Sequence, residues 1–192
     1  MVIIAARKGT HIEAGGETGC GIVERMEKPV VAAIAAVGRN RALGLQNKLL
    51  WHIPDDLKHF RELTAGHPLI MGWKTFQSIL GYTGGKALPN RTNIVISIDP
   101  SWRHEGAVTA ASLEDALQKA EDLDKEIVFI GGGALTYAEA LPFVEKLFLT
   151  IIDDEKAADT FFPPYESEFK KEIAREDREL NGLKYSWVEL ER

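Results

Sequence analysis

The chain has 192 residues, 45% hydrophobic and 27% charged, which suits one globular domain long enough to bury a core. Its net charge of -6 supplies no basic face for nucleic-acid phosphates, and no apolar run approaches the ~20 residues of a membrane span. A single cysteine, Cys20, excludes an internal disulfide and a cysteine-based metal site, and fits a reducing, cytoplasmic setting.

Residues 1–28 read as a disordered N-terminal extension. Residues 2–6 are too short a run for a secretory core, residues 15–21 are poor in apolar groups, and Glu13, Glu17 and Glu24 argue against a mitochondrial presequence. Met26 is expected to be the working initiator, and residues 29–192 to form the folded domain. From residue 30 to 37 the chain is continuously apolar and breaks at Gly38, as for a central strand buried on both faces. Residues 38–48 read as a long connection, of a length that is usually functional or mobile. Pro54 fixes φ and lacks an N–H, which suits a first helical turn, and Asp55-Asp56 complement the positive end of the dipole. The predicted helix runs from Asp55 to about Ala65, where Gly66 stops it.

Residues 68–71 predict a short strand, and Gly72-Trp73-Lys74-Thr75 opens a second helix. The Gly/Pro-rich stretch 81–90 reads as a loop, and 93–98 as another buried strand. Ser112 and Asp115 approximate a capping box for a helix ending near Leu123. A strand over 126–130 runs into three glycines and a helix to about Leu141; 146–152 follows as a strand. Residues 169–176 and 183–190 flank Asn181-Gly182, a hairpin signature. Alternating strand and helix closed by a hairpin predicts an α/β fold, a three-layer sandwich with a central, mostly parallel sheet and an antiparallel C-terminal hairpin at its edge.

On helical spacing Asp56 and Phe60 share a side with Leu57 beside them, so a carboxylate points into an apolar wall. Desolvation disfavours such a charge unless donors arrive, and two adjacent donors on a flat polar ligand would serve bidentately. An isolated acid in a first turn is more often solvated and merely complements the dipole. Ligands of open α/β sheets gather beyond the carboxyl ends of strands, which singles out the exits at Ala35-Ala36-Val37, Gly72-Trp73-Lys74-Thr75 and Ile130-Gly131-Gly132-Gly133. Small residues at the first admit a flat ring, free amides with Lys74 and Thr75 at the second suit phosphates, and glycines at the third allow amides to approach a pyrophosphate. Neither a Walker loop nor a G-x-G-x-x-G fingerprint is present, and each exit alone fits close packing or a capped surface helix equally well.

Taken together, Trp51-x-x-Pro54-x-Asp56, preceded by Gly44-Leu45-Gln46-Asn47 and followed by Pro68-Leu69-Ile70-Met71-Gly72, Leu88-Pro89-Asn90-Arg91, Ile130-Gly131-Gly132-Gly133 and Leu149-Thr150-x-x-Asp153, resembles dihydrofolate reductase in the family's order. The resemblance runs from about Val30 to the C-terminus. It implies NADPH-dependent reduction of 7,8-dihydrofolate to 5,6,7,8-tetrahydrofolate, with hydride passing to C6 and a proton to N5. It also implies a cytoplasmic monomer with no metal and no nucleic-acid or membrane partner. Catalytic roles fall to Asp56, which would hold the pterin amidine edge, and to Trp51, whose N–H would hold an ordered water. Substrate contacts fall to Ile34, Ala35, Asp56, Leu57, Phe60, Ile79, Lys86, Leu88, Arg91 and Thr150, with Arg91 pairing with the α-carboxylate of the folate glutamate and Thr150 bonding Asp56. Cofactor contacts fall to Ala36, to Leu43, Gly44, Asn47 and Lys48 of a lid over the nicotinamide spanning residues 42–48, and to Gly72, Lys74 and Thr75. Ser97, Ile98, Ile130, Gly131, Gly132, Gly133, Ala134, Leu135 and Tyr137 complete that set, with Tyr137 stacking on a ring and a cis peptide between Gly131 and Gly132. Trp73 and Ala134 stand where many relatives carry a basic residue, which weakens 2′-phosphate recognition and keeps NADH as an alternative donor. Two other readings stay open: a pyrimidine reductase of riboflavin synthesis, and a non-catalytic nucleotide-binding protein with a degraded cofactor site. His52 and His59 flank the acid without an assigned role.

Overall fold

Val30–Gly38 forms β1, and its alternation sets the layers of the molecule. Ala32 and Ile34 pack on one side with Leu69, Met71, Phe76 and Phe129, whereas Ala33 and Val37 pack on the other with Ile70, Val128, Ile130 and Leu149. Both faces of the strand are covered, as an unbroken apolar run requires. The structure is a computed structural model and describes residues 28–192; residues 1–27 of the expected 1–28 extension, with Cys20 and Met26, lie outside the described residues.

Beyond β1 the chain forms β2 (Ala42–Leu45) and β3 (Lys48–Leu49), joined by a two-residue turn with Gln46 at φ 49 and Asn47 at φ 63. Two positive φ values in succession are what a type I′ turn demands. The late β9 (Thr160–Phe161) pairs with β2 and completes a small three-stranded sheet. The long connection read over 38–48 thus carries a hairpin of its own. Its strands are short and largely exposed, so they carry no readable alternation, and their third partner lies far along the chain.

Next come α1 (Pro54–Leu63), β4 (Pro68–Gly72) and α2 (Trp73–Thr83). The helix α2 passes through Gly81, where an added Cβ would meet nothing within 4 Å, and stops at Gly84, which takes the left-handed φ of 67. A left-handed residue just past the last turn is what ends a helix, so the predicted loop starts at Gly84 and not at Gly81. Then follow β5 (Thr92–Ile96), ending two residues earlier than expected, and β6 (Ala107–Ala110), whose four residues the sequence did not signal. Ser112 caps α3 (Leu113–Leu123) as predicted, accepting from the Asp115 amide at 3.2 Å.

The remaining elements are β7 (Ile127–Ile130), α4 (Ala134–Ala140) with a 3-10 turn at Leu141–Phe143, β8 (Lys146–Ile152), β10 (Lys171–Leu180) and β11 (Leu183–Glu191). Asn181 and Gly182, at φ 51 and 84, turn the final hairpin. Among the described residues the main sheet has eight strands in the order β10-β11-β8-β1-β7-β4-β5-β6. Strands from β8 to β6 run parallel and the hairpin is antiparallel at one edge. The outermost strand, β10, is exposed and dense in charge, which guards an open edge against further pairing. Because β7 inserts between β1 and β4, the strand order reverses there, and the carboxyl ends of all three emerge together. A crevice forms at such a switch point.

Candidate active site

Pro54 occupies the first turn of α1, and the helix packs Phe60 and Leu63 against the Ile34–Phe76 cluster without fully burying any of its own residues. Leu57, Phe60 and Leu63 stay half-buried between α1 and the sheet. Asp55 and Asp56 lie in its first turn but meet different surroundings. The Asp55 carboxylate pairs with Arg178 at 3.0 Å and accepts from the Tyr185 hydroxyl at 3.3 Å, whereas Asp56 turns toward β8. There Asp56 Oδ1 accepts from the Thr150 hydroxyl at 2.5 Å and from the Trp187 indole N–H at 3.1 Å, and Oδ2 has no partner among the described residues. Burial pushes the Asp56 carboxyl up, against the opposing effect of the Thr150 and Trp187 hydrogen bonds and nearby His59.

The expected Asp56–Thr150 pair is therefore formed, while Trp187 was not anticipated. Trp187 lies on the final hairpin, and only the register of β11 against β8 brings it opposite Thr150. Trp51 departs from expectation. Its indole N–H donates to Asp154 Oδ2 at 2.9 Å, so that donor does not hold a water; the loop after β8 delivers a carboxylate to it first. The ring instead seals the end of β1, where a Cβ on Gly38 would lie 2.6 Å from it.

At the glycine exit, Gly131 N–H donates to the Ile70 carbonyl at 2.8 Å and Gly72 N–H to the Gly132 carbonyl at 2.7 Å, tying the ends of β7 and β4 together. The cis peptide is Gly132-Gly133, one bond later than expected, because Gly131 still continues the ladder with β4. A Cβ on Gly72 would sit 3.0 Å from Thr136 Oγ1, and one on Gly133 would sit 3.0 Å from Thr75 Oγ1. Tyr137 is buried against Gly132 and donates its hydroxyl to the Ile34 carbonyl at 2.6 Å; burial pushes that hydroxyl far above its ordinary range. Ile34 thus links the two halves, its side chain in the cluster behind α1 and its carbonyl held from the glycine exit. Ala35 and Ala36 continue β1 beside it, half-buried.

Leu43, Gly44, Asn47 and Lys48 lie on the β2–β3 hairpin, which is tied to α2 by Ser78 Oγ donating to the Asn47 carbonyl at 2.6 Å and by the Leu49 amide donating to the Tyr82 hydroxyl at 3.2 Å. Helix α2 starts without a side-chain cap, so its first amides are free of one; Lys74 and Trp73 are exposed and Thr75 half-buried there. Ala134 and Leu135 open α4, Leu135 being exposed. Ser97 is buried and holds the Asp99 turn, leaving Ile98 fully exposed beyond the end of β5.

Leu57 and Ile79 are half-buried on α1 and α2. Arg91 lies across the end of α1, donating to the Pro89 carbonyl at 3.0 Å, to Thr64 Oγ1 and to the Arg61 carbonyl at 3.4 Å, with its guanidinium 5.7 Å from the Phe60 ring centre. Burial and neighbouring Arg61 lower its pKa, and no carboxylate among the described residues pairs with it. A groove of about 440 Å³ beside it is lined by Lys86, Leu88, Arg91, His104 and Glu105. No group of three or more His, Cys, Asp or Glu among the described residues is placed to hold a metal ion.

These features define an α/β sandwich with a glycine-lined switch point at its strand ends and a half-buried carboxylate at the head of α1. Comparison with known proteins narrows the class. The family model described as dihydrofolate reductase matches residues 30–192. The chain is 44% identical over 163 residues to the dihydrofolate reductase type 3 of Salmonella typhimurium, covering 85% of this chain and 86% of that one. It is 41% identical over 135 residues to the dihydrofolate reductase of Staphylococcus aureus, covering 70% and 79%. A solved structure of the Enterococcus faecalis dihydrofolate reductase, complexed with NADP(H) and RAB-propyl, superposes with a TM-score of 0.77 at 31% identity, covering 85% of this chain and 96% of that one. The chain belongs to the dihydrofolate reductase family.

Proposed function

We infer that the protein reduces 7,8-dihydrofolate to 5,6,7,8-tetrahydrofolate at the expense of NADPH. The observation that carries this reading is Asp56: a half-buried carboxylate at the head of α1, fixed through Oδ1 and with Oδ2 unpartnered among the described residues. Asp56 accepts hydrogen bonds from the amidine edge of the pterin, which lies between Ile34, Ala35 and the Leu57, Phe60 and Ile79 side chains. Arg91 retains N–H groups beyond those given to the protein, and its planar fork meets the α-carboxylate of the glutamate, with Lys86 and Leu88 along the same groove.

The crevice at the strand ends fits a dinucleotide, because side chains at Gly72 and Gly133 would crowd Thr136 and Thr75 and close the approach to the backbone. Free amides at the start of α2, with Lys74 and Thr75, hold phosphate. Ser97, Ile98, Ala134 and Leu135 border the remaining nucleotide, and Ile130, Gly131, Gly132 and Tyr137 with Ala36 form the floor. When bound, NADPH supplies the hydride that adds to C6 of the substrate. The β2–β3 hairpin, with Leu43, Gly44, Asn47 and Lys48, covers that end of the crevice and keeps bulk water from the nicotinamide. Trp51 acts by closing the end of β1, and water admitted beside the hairpin supplies the proton to N5. The protein's own contribution is alignment and electrostatic preorganisation. Neither Trp73 nor Ala134 offers a charge to the 2′-phosphate, so selectivity against NADH rests on Lys74 and Thr75.

Loss of absorbance at 340 nm with dihydrofolate, measured with NADPH and NADH side by side, tests the reading. Turnover with NADPH is expected; ligand protection without turnover would overturn it. We further propose a cytoplasmic monomer, and sedimentation at the mass of one chain is the expected outcome. No helix among the described residues is long and apolar enough to cross a membrane.

A further inference from the structure

Trp187 of β11 is paired directly with Thr150 of β8. Residues opposite one another in an antiparallel pair project from the same face. Accordingly both donate to one and the same atom, Asp56 Oδ1, at 2.5 Å from the Thr150 hydroxyl and 3.1 Å from the Trp187 N–H. The indole is itself held in place. His59, three residues after Asp56 on α1, stacks on it with ring centres 3.8 Å apart and planes within 11°, and the Arg178 guanidinium lies 4.0 Å from the ring centre. Arg178 in turn is fixed by Asp55 at 3.0 Å and Glu176 at 2.7 Å.

We propose that Trp187, braced by the His59 ring, is a positioning residue for Asp56: its N–H fixes Oδ1 and thereby presents Oδ2 to the substrate. The proposal rests on Asp56 being the substrate-binding carboxylate. Two donors on a half-buried carboxylate favour its ionised form, the form that accepts hydrogen bonds from an amidine edge, while burial favours the neutral one. The charged groups around this cluster are Asp55 and Glu62 on α1 and Glu176 and Arg178 on β10, with Asp56 and His59 facing each other. All of them remain in Trp187→Phe, and His59 and Arg178, which contact the indole, keep an aromatic ring to lie against.

The test is the titration of the Asp56 carboxyl in the ligand-free protein, followed by carbon-13 NMR, together with the pH profile of NADPH oxidation. Trp187→Phe keeps an aromatic surface and removes the donor. Its Asp56 midpoint is expected to rise by about 1 pH unit, with kcat/KM for dihydrofolate at pH 7 falling about tenfold. His59→Ala is expected to raise the midpoint less than Trp187→Phe does, and His59→Phe, which keeps a stacking ring, to reverse part of that rise. Both remove the imidazole charge, so only the stack distinguishes them. An unmoved midpoint in Trp187→Phe, with only the melting temperature lowered, overturns the proposal. Should that variant not fold, equal midpoints in His59→Ala and His59→Phe overturn it as well, and the expected difference between them supports it. Full turnover by Asp56→Asn at pH 7 would instead remove Asp56 from the reaction, a distinct result from an unmoved midpoint.

Discussion

At the Asp56 carboxyl, burial opposes the hydrogen bonds from Thr150 and Trp187 and the nearby His59 charge, and burial prevails. A carboxyl raised in the folded state contributes stability that is present below its unfolded pKa and is lost as pH rises through the folded one. Asp56→Asn is therefore expected to melt higher than the parent at pH 7, the gap closing below about pH 4, which a series of thermal melts across pH checks. The same variant is expected to turn over about 10²- to 10³-fold more slowly at neutral pH, with partial recovery in acid as the substrate itself becomes protonated. Arg91 makes a different demand, because a point charge cannot reproduce a planar fork. Arg91→Lys is expected to raise KM for dihydrofolate about tenfold with kcat little changed, in steady-state assays.

Among the elements, the glycine exit is the most constrained. Gly132 has a φ of 111, and a Cβ there would lie 3.1 Å from the Tyr137 ring, while one on Gly131 would lie 2.7 Å from Leu69. Gly132→Ala is expected to cost about 1–3 kcal/mol in chemical denaturation and to raise KM for NADPH, since Tyr137 can move only by giving up the Ile34 carbonyl. The importance of this exit is legible in the sequence, because three successive glycines after an apolar strand have few other uses. Which peptide bond is cis is not legible, since that depends on how far the ladder with β4 continues. The β2–β3 hairpin is hidden in the same way. Gln46 and Asn47 are unremarkable letters for a turn until β9 arrives to pair with β2.

At the scale of the whole molecule, His67 at the start of the β4 segment bonds Asp124 after α3, Nδ1 to Oδ2 at 2.6 Å. This tie lies at the amino ends of the strands, away from the crevice. Burial alone would raise the Asp124 carboxyl, but the Glu126 amide and His67 outweigh it and hold the group below its usual range. A lowered carboxyl contributes stability above its unfolded pKa, lost as pH falls through the folded one. Asp124→Asn is expected to lose about 1–2 kcal/mol in urea unfolding at pH 7, the loss shrinking as acid protonates the folded carboxyl, with turnover at pH 7 unchanged.

The unbroken apolar strands, the Pro54 helix start, the Ser112 cap, the Asn181-Gly182 turn and the order of the motifs were all determined by local chemistry, so the sequence alone carried the α/β architecture and the family. Asp56 and the glycine exit were likewise within its reach, because each combines a residue type with an immediate context that restricts what it can do; Thr150, by itself an ordinary strand threonine, came only with the resemblance. Tertiary structure decided which partner each donor found. Trp187 reached Asp56 through the register of β11 on β8, Trp51 lost its N–H to Asp154, and His59 acquired a ring to stack on. Pairings of this kind depend on strand register and loop closure across the chain, and neither is encoded in the spacing of neighbouring residues.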